Sequence, residues 1–275
     1  MAGTASTAFY NWLDKLSTTV AMNVDAIMAP IEQVHTVERV GYGQDAVIFP
    51  VVHNSLNFAP VTQGTAYNTQ IAFAISGKTI TPVPYEWQIL VTEHAVRNNP
   101  SQYLDIVARE ATRAAHQQLM DLLVLKYDDL QTTQAGLTCT VPVLFSGLGN
   151  LAASGFNKDV SAVLNPKSYF ELLQSVGAQA YNSTPVGMAA LAQGAIPTIG
   201  GIPVHQDSTV LDSGSFCYNF LGTKDCIGVA FGFDAGIKEI ASTDATHIKL
   251  GWSYWIGVDV VAGNRGRWLK STGAS

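Results

Sequence analysis

The chain has 275 residues, enough for one large or two small domains and a sizeable core. Hydrophobic residues make up 47% and charged residues only 13%, about half the share usual in soluble domains; the net charge is −6 and the pI about 5.4. That balance leaves no basic field to grip phosphate backbones. The longest uncharged runs, 132–157 and 175–205, are broken by Gly, Pro, Asn and Gln, so neither suits a bilayer-crossing helix despite a mean hydropathy of +0.17.

A chain this poor in charge is expected to cover much of its surface with copies of itself. Cys139, Cys217 and Cys226 are odd in number and form no CxxC, which reads as free buried thiols.

Residues 1–37 lack the basic start of a signal peptide. Phe9, Trp12, Leu13, Leu16 and Val20 recur at helical spacing, and a second, weaker helical piece runs to Pro30. Lys15 is the one nearby cation, so an arm packed on a neighbouring subunit fits better than an interfacial membrane helix. Phe9 and Trp12 would supply its contacts. In 41–80 the character changes: 45–53 and 70–80 are β-rich and flank a polar segment, 54–69, that contains Gly, Pro and Asn. The pattern predicts a long hairpin, core-poor and therefore projecting, with Phe58 and Tyr67 as its apolar anchors. A further strand is expected over 83–91.

The stretch from Asn98 to about Gln131 reads as one long helix. Asn99 stands at the N-cap position, Pro100 at the first helical position and Gln102 three residues beyond the cap. Leu104, Val107, Ala108, Ala111, Ala114, Ala115, Leu119, Leu122 and Leu125 form an apolar stripe, Ala-rich at first, where another element must approach closely. Asp105, Arg109, Glu110 and Arg113 lie on the other side at pairing distance. A helix of this length spans roughly 45–50 Å, the dimension of a spine.

Beyond the spine, 138–145 is strand-like, with Pro142 suggesting an edge. A buried strand at 160–164 precedes a helix opened by Asn165-Pro166 and ended by Gly177. A helix is possible at 186–193, and a strand follows Gly200-Gly201 at 202–205. Strands at 215–221 and 226–233 are expected as consecutive elements joined by a tight turn, and 237–240, 247–261 and 267–270 continue the β pattern. Helices and strands without regular alternation indicate an α+β chain.

Catalytic patterns are weak. Gly147-Leu-Gly149-Asn-Leu-Ala152 matches a dinucleotide fingerprint, but Gly155 breaks the chain too soon for the required helix and Asp159 comes too early, so a surface turn is the better reading. Gly41-Tyr-Gly43-Gln-Asp-Ala46 matches as well, without a strand before it or a helix after it. The six histidines, at 35, 53, 94, 116, 205 and 247, are scattered, and no GxSxG is present. Alternation puts Trp252 and Tyr254 on one face of a late strand and Trp255 on the other, as core packing or an interface requires. No catalytic, metal or cofactor-binding residues are assigned.

The order of these elements resembles the tailed-bacteriophage major capsid proteins of the Hong Kong 97-like fold. So do Ser161-Ala-Val-Leu-Asn-Pro166 before a helix, Ile199-Gly-Gly-Ile-Pro-Val204 after it, and Tyr254-Trp-Ile-Gly-Val-Asp-Val-Val261 followed by Arg267-Trp-Leu-Lys270. The resemblance implies an N-terminal arm (1–37), an extended β-hairpin loop (38–82) and a peripheral domain with the spine helix (83–134). It further implies an axial domain (135–234), returning peripheral strands (235–255) and a C-terminal axial segment (256–275).

By the same resemblance the chain is no enzyme but a shell protein. It would form hexamers and pentamers of an icosahedral virion that encloses double-stranded DNA without sequence-specific binding, assembled in the host cytoplasm away from membranes. The chain shows no long charged N-terminal extension, so a separate scaffolding protein, or a removed prosegment, is expected, beside a portal and a decoration protein. Lysine–asparagine cross-linking does not carry over, although Lys78 lies in the loop region. Two alternatives stay open: the shell of an encapsulin-like cellular nanocompartment, and a nucleotide-dependent oxidoreductase using the Gly147 turn.

Overall fold

The structure, a computed structural model, describes residues 7–40, 46–52, 75–92, 100–135, 138–156, 158–180, 198–208, 210, 216–233, 238–240 and 247–272. In chain order its elements are α1 (Thr7–Val34), β1 (Thr36–Arg39), β2 (Val47–Val52), β3 (Ile75–Ile80), β4 (Val83–Thr92), the spine helix α2 (Pro100–Tyr127) and β5 (Gln131–Ala135). There follow α3 (Val141–Ala153), β6 (Val160–Leu164), α4 (Pro166–Ala180), β7 (Thr198–Ile199), β8 (Ile202–Gln206) and β9 (Phe216–Thr223). The chain closes with β10 (Ile227–Phe233), β11 (Lys238–Ile240), β12 (His247–Val260) and β13 (Gly266–Thr272).

The spine helix forms where the stripe places it, with Val107, Ala108, Ala111, Ala115 and Leu119 buried. Leu125 departs from the expected stripe and is 62% exposed, whereas Leu123, Val124 and Tyr127 turn inward instead. The proposed cap, Asn99, lies outside the described residues. Against the spine packs α1, which places Trp12, Leu16, Val20, Val24, Met28 and Ile31, one per turn, into the same core. The first helix is therefore a single element that runs through Pro30 to Val34, since a proline so near the end removes only one late hydrogen bond. It also corrects the reading of an arm laid on a neighbour: Trp12 is a core residue of its own chain, 5% exposed.

Behind the helices lies a five-stranded sheet in the order β1-β10-β12-β11, with β4 on the other flank of β12. The long β12 sets its register against β4 so that Trp252 faces Trp87 directly, their rings 4.0 Å apart. Leu250, Trp252, Tyr254 and Ile256 alternate onto the helix side and are buried. The Tyr254 hydroxyl donates to the Ala111 carbonyl at 3.1 Å, tying the Ala-rich turn of the spine to the sheet.

A six-stranded sheet, ordered β5-β13-β9-β6-β8-β7, carries α3 and α4 and has its own core around Leu144, Leu151, Leu164, Leu172 and Leu221. Asn219 is buried at its centre with its amide fully used. Its two Nδ2 hydrogens are shared among Ser168 Oγ at 3.0 Å, the Leu269 carbonyl at 3.1 Å and Ser271 Oγ at 2.9 Å, while its Oδ1 accepts from the Asn165 amide at 2.8 Å. A satisfied polar centre of this kind fixes the register of three elements at once.

Three local expectations change here. The strand expected at 138–145 is helix from Val141, because Pro142 sits in the first turn, where its missing N–H costs nothing. The Gly147–Ala152 motif consequently lies inside α3 and is no surface turn. The helix after Pro166 passes Gly177 and ends at Ala180. Finally, β9 and β10 are the expected consecutive strands joined by a tight turn, but they lie in different sheets: the 3-10 turn Lys224–Cys226 hands the chain from the second sheet to the first. The division between sheets thus falls at that turn and not at 234, and β12 stays in the first sheet to Val260. The possible helix at 186–193 lies outside the described residues.

Candidate assembly surfaces

The hairpin forms as expected from its β-rich arms, with β2 and β3 paired from Val47↔Ile80 to Val52↔Ile75. Among the described residues neither strand joins another sheet. The base of the hairpin is anchored: Phe49 and Ile80 are buried with Ala230, flanked by Val40, Val47 and Val261. The seat exists because β10 has Gly228 there. A Cβ on that residue would stand 2.8–3.0 Å from Val261, Phe49 and Ile80. Above this seat Ile48, Pro50 and residues 76–79 are exposed.

Ion pairs brace the same joint. Lys78 Nζ on β3 reaches Asp259 Oδ2 on β12 at 2.9 Å, and Asp259 Oδ1 is 3.5 Å from Lys126 of the spine, which also holds Asp129 at 3.2 Å. Partial burial disfavours the Asp259 carboxylate. The Lys78 hydrogen bond, the Val260 amide and the charges of Lys78 and Lys126 outweigh that burial and hold Asp259 below the usual carboxylate range. Lys126 is pushed up, chiefly by its hydrogen bond to Asp129. The chain of pairs links hairpin, sheet and spine.

Other surfaces carry apolar side chains without cover in the subunit. On β4, which among the described residues pairs only with β12, Val83 and Leu90 are exposed, and an open strand edge is a natural pairing surface. On the second sheet's helices Phe145 and Phe170 are exposed, and Phe145 covers Gly200 of the Gly200-Gly201 turn, where φ is +59° and +84°. At the junction of α1, the spine and the second sheet, His35 is buried, hydrogen-bonded through Nε2 to the Tyr127 hydroxyl at 3.1 Å and packed on Phe220. Burial pushes its pKa down to about 3, with His205 adding to the effect. His116 and Asp207 pair nearby at 3.5 Å.

No group of His, Cys, Asp and Glu suited to a metal ion occurs among the described residues. Cys139, Cys217 and Cys226 are buried and form no disulfide, and burial raises the Cys139 and Cys226 thiols to about 12, which keeps those two inert. Gly147 and Gly149 lie mid-helix, where backbone amides are spent on helical hydrogen bonds and no helix start meets a pyrophosphate. Among the described helices none is long and apolar enough to cross a membrane.

No family model matches the sequence, and no curated protein matches it either. Solved structures do match in shape. The capsid of Ralstonia phage GP4 superposes with a TM-score of 0.65 at 10% identity, covering 87% of both chains. The capsid structure of cyanophage P-SCSP1u gives 0.62 at 15% identity over 88% of each. A virus-like particle from Pyrococcus furiosus gives 0.62 at 12% identity over 94% of this chain and 99% of the other. This chain has the Hong Kong 97-like capsid fold.

Within that fold the sequence-predicted contact residues fare unevenly. Trp12 is spent inside the subunit. Phe9 belongs to α1, its side chain outside the described residues, as are Phe58 and Tyr67 altogether. Sequence reasoning missed the Lys78–Asp259–Lys126 chain, although a signal existed. Lys78 is the lone charge in β3, and Asp259 is the lone acid in the 14-residue β12.

Proposed function

We propose that this chain is the major capsid protein of a tailed virus, a structural subunit without a catalytic step. It self-assembles into hexamers and pentamers of an icosahedral shell around double-stranded DNA. The observation that carries this reading is the hairpin: a two-stranded ribbon held at its base by Phe49, Ile80 and one chain of ion pairs is marginal in water unless a neighbour covers it. The capsid fold over nearly the whole chain supports it. In this reading the helix pair and the five-stranded sheet form the peripheral domain and the six-stranded sheet the axial domain around the five- and six-fold axes. Repeated closed interfaces then cover the exposed Val83, Leu90, Phe145 and Phe170. A scaffolding protein, a portal and a decoration protein are the partners to seek, with assembly in the host cytoplasm and the virion as the destination.

A second reading, the shell of an encapsulin-like compartment, is favoured by the 99% coverage of the Pyrococcus particle. Expression of the full chain followed by electron microscopy and sedimentation tests both. Closed particles are expected, and monomers alone at every protein concentration, salt and co-expressed partner would overturn the proposal. Nuclease-protected double-stranded DNA in particles from infected cells supports the virus, and a packaged enzyme the compartment.

A further inference from the structure

Along the outer seam of the helix pair runs a groove of about 560 Å³ whose chemistry is at odds with the acidic chain around it. Thr19 and Asn23 of α1 form one wall, and Arg109, Thr112 and Arg113 of the spine the other, with Asp105 at one end and His116 at the opposite end. Thr19 and Thr112 spend their hydroxyl protons on the Lys15 and Ala108 carbonyls, which leaves the two guanidinia and the Asn23 amide as the groove's principal donors. Arg109 and Arg113 are exposed and form no ion pair among the described residues, although Asp105 and Glu110 stand at helical pairing distance. His116 is paired with Asp207. The rims are apolar: Met22, one turn from Thr19 and Ala26, is 69% exposed, and Ile106, one turn from Arg109, is 52% exposed.

From this arrangement we infer that the groove between α1 and the spine docks an acidic, amphipathic helical segment of a partner protein. One helical turn separates Arg109 from Arg113, about 6 Å, which matches two carboxylates four residues apart on a facing helix. Apolar side chains beside those carboxylates meet Met22 and Ile106. A nucleic-acid backbone fits less well, since a duplex presents a continuous row of phosphates whereas the groove offers two guanidinia, closes on Asp105 and belongs to a chain of net charge −6. The site stands apart from the shell reading, since neither residue belongs to the hairpin joint or to the β4 edge.

The test uses the full chain and a fluorescein-labelled peptide of about 20 residues, built of Leu and Ala with Glu pairs four apart on one face. The same peptide with Lys for Glu and a duplex of about 20 base pairs serve as competing probes. Fluorescence anisotropy is expected to show salt-sensitive binding of the Glu peptide, weakened at least about tenfold by Arg109→Gln with Arg113→Gln. Arg109→Glu with Arg113→Glu should transfer binding to the Lys peptide. Equal binding by wild type and the Gln variant, or no binding of the Glu peptide, overturns the proposal. So does duplex binding that the Gln variant abolishes while peptide binding survives. Melting curves check the fold of each variant, and sedimentation scores particle formation separately, so a failed groove and a failed shell are told apart.

Discussion

In the spine-and-sheet region, Tyr127 and Phe220 stack at 5.0 Å with His35 against Phe220 at 4.9 Å, and all three are buried by α1, the spine and the two sheets of one chain. Among the described residues of the hairpin, Phe49 and Ile80 carry the apolar anchor, and the charges beside them remain a third to nearly half exposed. The first region completes its core within the subunit. The described strands of the second leave Ile48, Pro50 and residues 76–79 exposed and meet the rest of the chain through a few small contacts. Stability and assembly should therefore respond to different residues.

The deepest break of that contrast is Phe220→Ala. It removes a fully buried ring that both Tyr127 and His35 lean on, and should cost on the order of 3–5 kcal/mol by chemical denaturation of the unassembled subunit. A loss below about 1 kcal/mol would mean that the two sheets do not share a core at this point. Next comes Ala111→Phe. Ala111 is buried, and its carbonyl accepts from Tyr254, so a larger side chain must push spine and sheet apart at a cost of about 1–3 kcal/mol. An unchanged melting curve would show that contact to be looser than the hydrogen bond implies.

Acid sharpens the same contrast through His35. Its folded pKa is held near 3 by burial first and His205 second, below the ordinary 6.5, so the folded chain keeps the ring neutral while the unfolded chain protonates it. The stability tied to the neutral ring is complete above pH 6.5 and is lost as the pH falls toward 3. Between pH 7.5 and 5 that amounts to about 2 kcal/mol. Asp259, depressed from 3.8, keeps its contribution over this whole window and loses it only at lower pH, so it does not confuse the measurement. Denaturation at the two pH values should show the loss in wild type and a smaller one in His35→Gln. Equal losses in both would assign the acid sensitivity to other groups.

These residues also mark how far sequence reasoning reaches. The spine was legible because 28 residues repeat one apolar stripe, and a long period is hard to counterfeit. The hairpin arms were legible by composition instead: two β-rich stretches flank a polar segment with Gly, Pro and Asn. Around Pro142 the reading failed because Thr, Val and Phe suggest a strand, while the decisive fact, proline in a first helical turn, depends on where the helix begins. The hand-over at Lys224–Cys226 was not legible, since consecutive strands commonly pair and nothing local in β9 or β10 names its sheet. Trp12 suits a contact with a neighbour as well as one within its own chain, because an amphipathic helix does not say which chain will cover it. His35 gave no signal at all: its partner Tyr127 is 92 residues away, and its burial is a property of the assembled fold.

The smallest expected effect on the subunit is the most telling for assembly. Lys78 and Asp259 are 2.9 Å apart, with side chains 44% and 32% exposed, and exposed pairs of this kind contribute at most about 1 kcal/mol. Asp259→Asn should therefore leave the unassembled subunit melting within a few degrees of wild type, roughly 2–4 °C for a chain of this size. The same change removes the acid that links Lys78 of the hairpin to Lys126 of the spine, so the hairpin keeps its apolar seat but loses the brace that fixes its angle. A shell needs every copy of that angle to agree, and a small local freedom is multiplied over all its interfaces. Sedimentation should thus show fewer complete particles and more open or small assemblies from the variant. Molar salt, which shortens the screening length to about 3 Å, should push wild type the same way. Wild-type particles in normal yield from Asp259→Asn would place the hairpin's orientation in Phe49 and Ile80 alone. A large fall in melting temperature would instead make Asp259 part of the subunit's own core, and the contrast between the two regions would fail at its joint.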